Sequence, residues 1–306
     1  MKLSTTIVKK ALLLLGLLTA STSLESRAQL SPMGVQYFQT EYLANPAMTG
    51  ISQGYNLNVG YSQQWNSMPG APVKQYLAGE FHMNEKVGLG FNIYNDEAGL
   101  LGKTRATGTF AYHLPLSADN HKLHFGISLG YALESLATED IIGDQNDPSV
   151  SRFLERENFF DGDFGMAYST NRLTIQAAIP NMKIFLDRDA ANTVDRSAFF
   201  SSIAYKWAFG EDISRIILEP KVAFRAVKGY KNIVDAGANV NFANNQLNLS
   251  AIYHSSRSST FGCGFNYKNM AIFGLYTTEN TPMRGDSNGI FEIGLKVDVK
   301  KKRLAE

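Results

Sequence analysis

Five histidines, one cysteine and a spread of acidic side chains are the groups in this 306-residue chain that could carry acid–base, nucleophilic or metal chemistry. A catalytic histidine must lie within about 2.6–3.2 Å of its nucleophile or carboxylate. His124, Ser128 and Glu134 share one face of a single extended stretch. Residues four apart on a strand are roughly 13 Å from each other, so a dyad there would need help from another strand. His82, His113, His121 and His254 fall at the ends of extended stretches or in turns and show no H-x-x-x-H spacing. The Gly-x-Gly steps at Gly88 and Gly90 and at Gly262 and Gly264 are followed by strand where a dinucleotide site needs a helix. The lone Cys263 excludes an intramolecular disulfide and a thiolate metal cage. We therefore expect no catalytic residues, no metal site and no cofactor.

The elements that carry these residues follow a period of two. From Leu123 to Leu133 the odd positions are Leu123, Phe125, Ile127, Leu129, Tyr131 and Leu133, and the even ones include His124, Gly126, Ser128 and Ala132. Phe199, Ile203, Tyr205, Trp207 and Phe209 alternate in the same way with Ala198, Ser202, Ala204 and Lys206, as do Phe291, Ile293, Leu295, Val297 and Val299 with Glu292, Gly294, Lys296 and Asp298. Charges also fall mid-strand at Glu219, Lys221 and Arg225. Such alternation predicts strands with one greasy face. A transmembrane barrel turns that face to lipid and the polar face to a lumen, whereas a soluble β-sandwich buries it.

Between residues 55 and 299 about 14 such strands can be read, an even number as bacterial barrels require. The intervening connections are short at residues 169–171, 210–213, 243–245 and 268–269, and long at 63–73, 136–158, 180–195 and 278–286. Short and long connections segregate to opposite ends, the connection at 228–230 excepted, and this favours the barrel over the sandwich. The expected fold is an all-β, antiparallel up-and-down transmembrane barrel.

Lys2, Lys9 and Lys10 precede an apolar run from Ala11 to Leu18 and a small, polar stretch ending in Ala28. This predicts a signal peptide over 1–28, since the run is too short to span a bilayer. The remaining expected divisions are a periplasmic N-terminal segment or plug over 29–52, the barrel over 53–300, and a basic tail over 301–306. With 29 basic and 28 acidic residues and no basic stripe, nucleic acid is not an expected partner.

Three blocks stand out around the first strands. Asn45 and Pro46 followed by Thr49 and Gly50 signal a compact turn, Trp65 to Pro72 forms a loop fixed by Pro69, Gly70 and Pro72, and Gly88 to Gly99 ends in an acidic turn. In this order after a signal peptide, the blocks resemble the PorP/SprF family of type IX secretion system membrane proteins. Tyr112, His113 and Leu114, the Asp147 and Pro148 pair, and Phe164, Gly165 and Tyr168 extend the likeness. Met48 and Thr49 stand where the family more often has an aromatic and a small residue.

The resemblance implies a non-enzymatic outer-membrane protein, and the loop pattern, with short turns on the periplasmic side, sets both chain termini in the periplasm. Its implied partners are outer-membrane lipid, type IX secretion components and the C-terminal domain of a secreted adhesin or other cargo. The residues expected to contact such partners are Trp65, Pro69, Gly70 and Pro72, with Asn45 and Pro46 setting shape. A porin or a FadL-like transporter of small or hydrophobic molecules is the alternative.

Overall fold

The computed structural model describes residues 34, 37–64, 70–117, 120–138, 150, 158–183, 196–210, 215–228, 231–242, 245–278 and 289–299. The expected signal peptide, Trp65, Pro69 and the basic tail lie outside them.

Alternating sequence becomes antiparallel ladder throughout. The strands are β1 (Tyr55–Gln64), β2 (Val73–Asn84), β3 (Val87–Ala98), β4 (Leu101–Pro115), β5 (Lys122–Leu136), β6 (Phe159–Ser169), β7 (Leu173–Ile179) and β8 (Arg196–Tyr205). They continue with β9 (Trp207–Phe209), β10 (Ile216–Lys228), β11 (Ile233–Phe242), β12 (Leu247–His254), β13 (Ser259–Tyr267), β14 (Met270–Thr277) and β15 (Ile290–Val299). Both β8 and β9 pair with β10, β9 resuming the ladder after a break at Lys206, so the two share one position in the wall. Apart from β8 and β9, each strand pairs with the next, and β1 pairs with β15. The ring is closed, a barrel of fourteen strand positions with no free edge.

Polarity is inverted relative to a soluble domain. The inward positions are buried and polar: Asn58 and Asp235 are 0% exposed, His124 1% and Lys221 3%. The outward positions are large and apolar, with Leu129 at 68% and Phe160 at 81% exposed. A sandwich would bury that greasy face. Here it surrounds the ring, the arrangement that hydrocarbon requires, and closure lets the strands satisfy their backbone groups on one another.

The connections at 65–72, 137–158, 180–195 and 278–289 all lie at one end of the barrel. The short turns at 85–86, 170–172 and 268–269 lie at the other. The long-loop end also carries short links at 99–100, 229–232 and 255–258, two more than the exception expected from the sequence.

The outer face should respond to charge far more than the inner face responds to loss of a hydroxyl. Leu129→Arg places a guanidinium near the bilayer midplane, at a cost of about 2–4 kcal/mol. Ser202→Ala removes a buried hydroxyl that has no hydrogen-bond partner and should change stability by less than about 0.5 kcal/mol. Refolding yield into lipid vesicles, read by heat-modifiable gel mobility, should fall for the first and not for the second.

Candidate functional site inside the barrel

The most closely packed polar region is built on the chain ahead of β1. Residues 37–50 contain two short 3-10 turns, Glu41–Leu43 and Pro46–Met48. Their side chains reach β4, β6, β7, β10 and β12, strands distributed around the ring, so the segment lies inside it.

Asn45 organises the second turn. Its backbone is extended, Pro46 holds the first helical position, and Asn45 Oδ1 accepts from the Ala47 amide at 3.0 Å, a helix-capping arrangement. Asn45 Nδ2 donates outward to the Met166 carbonyl at 3.2 Å and to Gln176 Oε1 at 3.3 Å. The wall beneath is stripped of side chains. A Cβ added at Gly126 would lie 2.2 Å from the Pro46 carbonyl carbon, one at Gly165 would lie 1.9 Å from Asn45 Oδ1, and one at Gly88 would lie 2.1 Å from the Thr49 oxygen. Gly50 ends the segment at φ +71°, a left-handed conformation that glycine adopts without strain.

Histidines secure this end. His82 Nδ1 donates to the Gly50 carbonyl at 2.8 Å and His113 Nε2 to the Thr49 carbonyl at 3.1 Å. With its proton on Nε2, neutral His113 accepts at Nδ1 from His124 Nδ1 at 2.8 Å, and Ser169 Oγ donates to His124 Nε2 at 2.7 Å. His124 thus meets a hydroxyl from a neighbouring strand. The Ser128 and Glu134 of its own strand take no part, and Ser128 bonds Thr109 at 2.7 Å.

The front of the segment is held by different groups. Tyr37 is 1% exposed and packs with Ala178, Phe200, Ala223 and Ile252. Its hydroxyl donates to the Lys221 carbonyl at 2.8 Å, with the Asp235 carbonyl at 3.1 Å. Tyr42 shares a hydrogen bond with Thr109 Oγ1 at 2.9 Å, and Leu43 packs on the buried pair Phe273 and Leu275. Glu41 forms an ion pair with Lys221 and accepts from Gln176 Nε2 at 3.0 Å. Burial, aided by the charge of Asp235, pushes the Tyr37 phenol well above the usual tyrosine range, and burial likewise raises Tyr42. Both are neutral at any physiological pH.

Two further networks line the wall. Asp235 accepts from His254 Nδ1 at 2.6 Å and from Arg225 Nε at 2.8 Å, and His254 Nε2 meets Thr260 Oγ1 at 2.8 Å. Asp, His and Thr in this order have the connectivity of a nucleophile, base and orienting acid. With Asp235 and Thr260 at 0% and His254 at 1% exposure, the network is fully buried and ties β10, β11, β12 and β13 to one another. Sequence reading missed it. The available signal was the short β11–β12 turn, whose register sets Asp235 opposite His254. At the long-loop end, Arg105 grips Asp163 through two nitrogens, at 2.8 and 3.2 Å. Asp163 also accepts from the Asn181 amide at 2.9 Å, and Asp161 from the Lys183 amide at 3.0 Å. Among the described residues no group of three His, Cys, Asp or Glu side chains is placed to hold a metal ion.

Of the residues expected from sequence to contact partners, Asn45 and Pro46 lie in this seat. Gly70 and Pro72 lie elsewhere, in the connection joining the far ends of β1 and β2, where the Gly70 carbonyl accepts from the Gly99 amide at 2.9 Å. The structure does not bring the two groups together. Glu41, Gln176 and Lys221, which it does bring together, were not foreseen as a set.

The family of type IX secretion system membrane proteins PorP/SprF matches residues 26–297, nearly the whole chain. The protein belongs to the PorP/SprF family. It is therefore an outer-membrane barrel component of type IX secretion, and the turn carrying Asn45 and Pro46 lies within the matched region. No curated protein sequence matches the chain. Among solved structures it is similar to the Ralstonia pickettii toluene transporter TbuX, 12% identical with a TM-score of 0.50, covering 85% of this chain and 93% of that one. It is also similar to the Acinetobacter baumannii outer membrane protein Omp33, 9% identical with a TM-score of 0.48, covering 82% of this chain and 100% of that one. At such identities the likeness concerns the barrel fold alone.

The seat of the Asn45 turn should behave as one packed unit. Gly165→Ala should destabilise the barrel by about 1–3 kcal/mol through overpacking, and Asn45→Ala by about 1–2 kcal/mol through the lost cap. Because the new methyl collides with the Asn45 amide oxygen, the double variant should be less destabilised than the sum of the two, by about 1 kcal/mol in a thermal-unfolding cycle. Alkaline titration gives a second check. With folded phenols raised above the unfolded value of about 10, stabilisation from Tyr37 and Tyr42 is complete below that pH and is lost as pH rises past it. Tyr37→Phe should flatten that decline in unfolding temperature between about pH 10 and pH 12.

Proposed function

We propose that this PorP/SprF protein is a non-enzymatic docking component that assists secretion of large surface proteins, such as gliding adhesins, by receiving their C-terminal domains. The chain is exported by a signal peptide cleaved after Ala28, and both termini of the mature barrel face the periplasm. Its partners are outer-membrane lipid, other type IX secretion components and the cargo domain. Trp65, Pro69, Gly70 and Pro72 contact the partner, while Asn45 and Pro46 set the shape of the inner segment.

The observation that carries this reading is the family match over residues 26–297. The geometry is compatible with it. Residues 37–50 fill part of the lumen with buried side chains, and Asp235, His254 and Thr260 are fully buried, which suits a binding scaffold better than a hydrolase.

Affinity capture of the barrel in detergent, with and without a cargo C-terminal domain, tests the assignment. Specific co-purification with the domain is expected, together with loss of one or a few large proteins from the surface of cells lacking the gene. Capture of lipid alone, an unchanged cell surface and solute flux in liposomes would replace docking with the porin or FadL-like transporter reading.

A further inference from the structure

Lys221 differs from the other buried cations of the lumen in the source of its counter-charge. Its ammonium group is on the wall, with the side chain 2% exposed, and the residues opposite it on the neighbouring strands are Ala204 and Gly237. The wall carboxylates closest in the ladder have other partners. Asp235 is held by Arg225 and His254, and Glu219, two residues back along β10, faces Lys206 at 3.7 Å and lies within electrostatic reach of Lys221 without contacting it as an ion pair. Among the described residues the carboxylate on Lys221 is Glu41, contributed by the inner segment. The rest of its shell also comes from that segment: the Tyr37 carbonyl accepts at 2.6 Å, and the Phe38 and Tyr37 rings lie 5.1 and 5.5 Å from the ammonium.

Gln176 completes the arrangement from β7, donating its amide to the same Glu41 oxygen. Two wall residues from different strands thus converge on one carboxylate oxygen. A cation and an amide donor so placed are a recognition element for a carboxylate. The Glu41 side chain is 24% exposed, whereas that of Lys221 is 2% exposed. The two ends of the segment are also held differently. The Asn45–Gly50 end is locked by close backbone approach to glycines, whereas the Tyr37–Glu41 end is held by the packing of Tyr37 in its apolar cluster and by side-chain bonds, of which those of Glu41 are the ones another carboxylate could replace.

We propose that Lys221 and Gln176 form a carboxylate-binding site on the barrel wall, filled in cis by Glu41 and taken over in trans by a carboxylate of a docking polypeptide. The front of the inner segment then swings away about Asn45 and Pro46. A buried ammonium cannot be left unpaired, so the segment leaves only when a second anion arrives, which couples its release to binding. That the anion belongs to a polypeptide rests on the docking reading above; the carboxylate chemistry of the site does not.

Chemical rescue of the full chain, folded in detergent, tests this. Glu41→Ala empties the site and should lower the unfolding temperature. Sodium acetate should then raise it relative to sodium chloride at equal ionic strength, by roughly 3–5 °C at ten times its dissociation constant. Wild type, whose site is filled, and Glu41→Ala/Lys221→Met, whose cation is gone, should show no acetate-specific gain. Should Glu41→Ala not fold, Glu41→Gln gives the same comparison, since it retains the side-chain bulk but leaves Lys221 without an anion. Equal responses to acetate and chloride, or an equal acetate response after loss of Lys221, would overturn the site.

Three peptide arms identify the source: one with a free C-terminal carboxylate, its C-terminally amidated counterpart, and an amidated peptide with an internal glutamate. Binding of the first but not the second assigns the site to a chain terminus, and binding of the third assigns it to an acidic side chain. Rescue by acetate with no peptide response would overturn polypeptide docking at Lys221 while retaining the carboxylate site. Failure of cargo capture with acetate rescue intact would count against the proposed function and not against the site.

Discussion

Hydrocarbon offers no hydrogen-bond partners, so every backbone amide and carbonyl of the wall must be satisfied within the protein. A sheet meets that demand when it closes on itself, and here closure runs through the β1–β15 and β10–β11 ladders. The inverted polarity follows from it. Alternate side chains face lipid and must be apolar, which leaves the other half of each strand to line an interior where Lys221, Arg225, Asp235 and Glu80 are buried. An interior of that composition is stable when its charges are matched, and the Arg225–Asp235–His254 and Arg105–Asp163 pairings do so within the wall.

The wall does not complete this matching by itself. At Lys221 the counter-charge is carried by the chain preceding the first strand, and at β3, β5 and β6 the wall leaves notches that the Asn45–Gly50 turn fills. The segment and the barrel are therefore complementary in both shape and charge. Steric contact at the glycines fixes one end, because backbone approach that close admits no alternative packing. The other end combines apolar packing of Tyr37 and Leu43 with polar contacts, where tyrosine hydroxyls and one carboxylate meet a strand carbonyl, a threonine hydroxyl, an amide and an ammonium.

The chemistry-bearing residues show where local reasoning stopped. His124, Ser128 and Glu134 lie along one strand, but the hydroxyl that His124 meets is Ser169 on the adjacent strand. His254 looked isolated at a strand end, yet the neighbouring hairpin places Asp235 directly opposite it. Asn45 and Pro46 could be read as a turn, and the capping bond to Ala47 is the local part of that reading. Their seat on Gly126 and Gly165 is not local.

Strand positions, the greasy outer face and the family were legible in the order of residues, because alternation of side chains is a property of each strand alone and needs no partner. The contacts of the inner segment were decided by tertiary structure. Tyr37 meets Lys221 across 184 residues, Asn45 meets Gln176 across 131, and Tyr42 meets Thr109 across 67. Which lumen residues face one another at such separations depends on the accumulated register of many ladders around the ring, and a single shift in any of them would move every later partner.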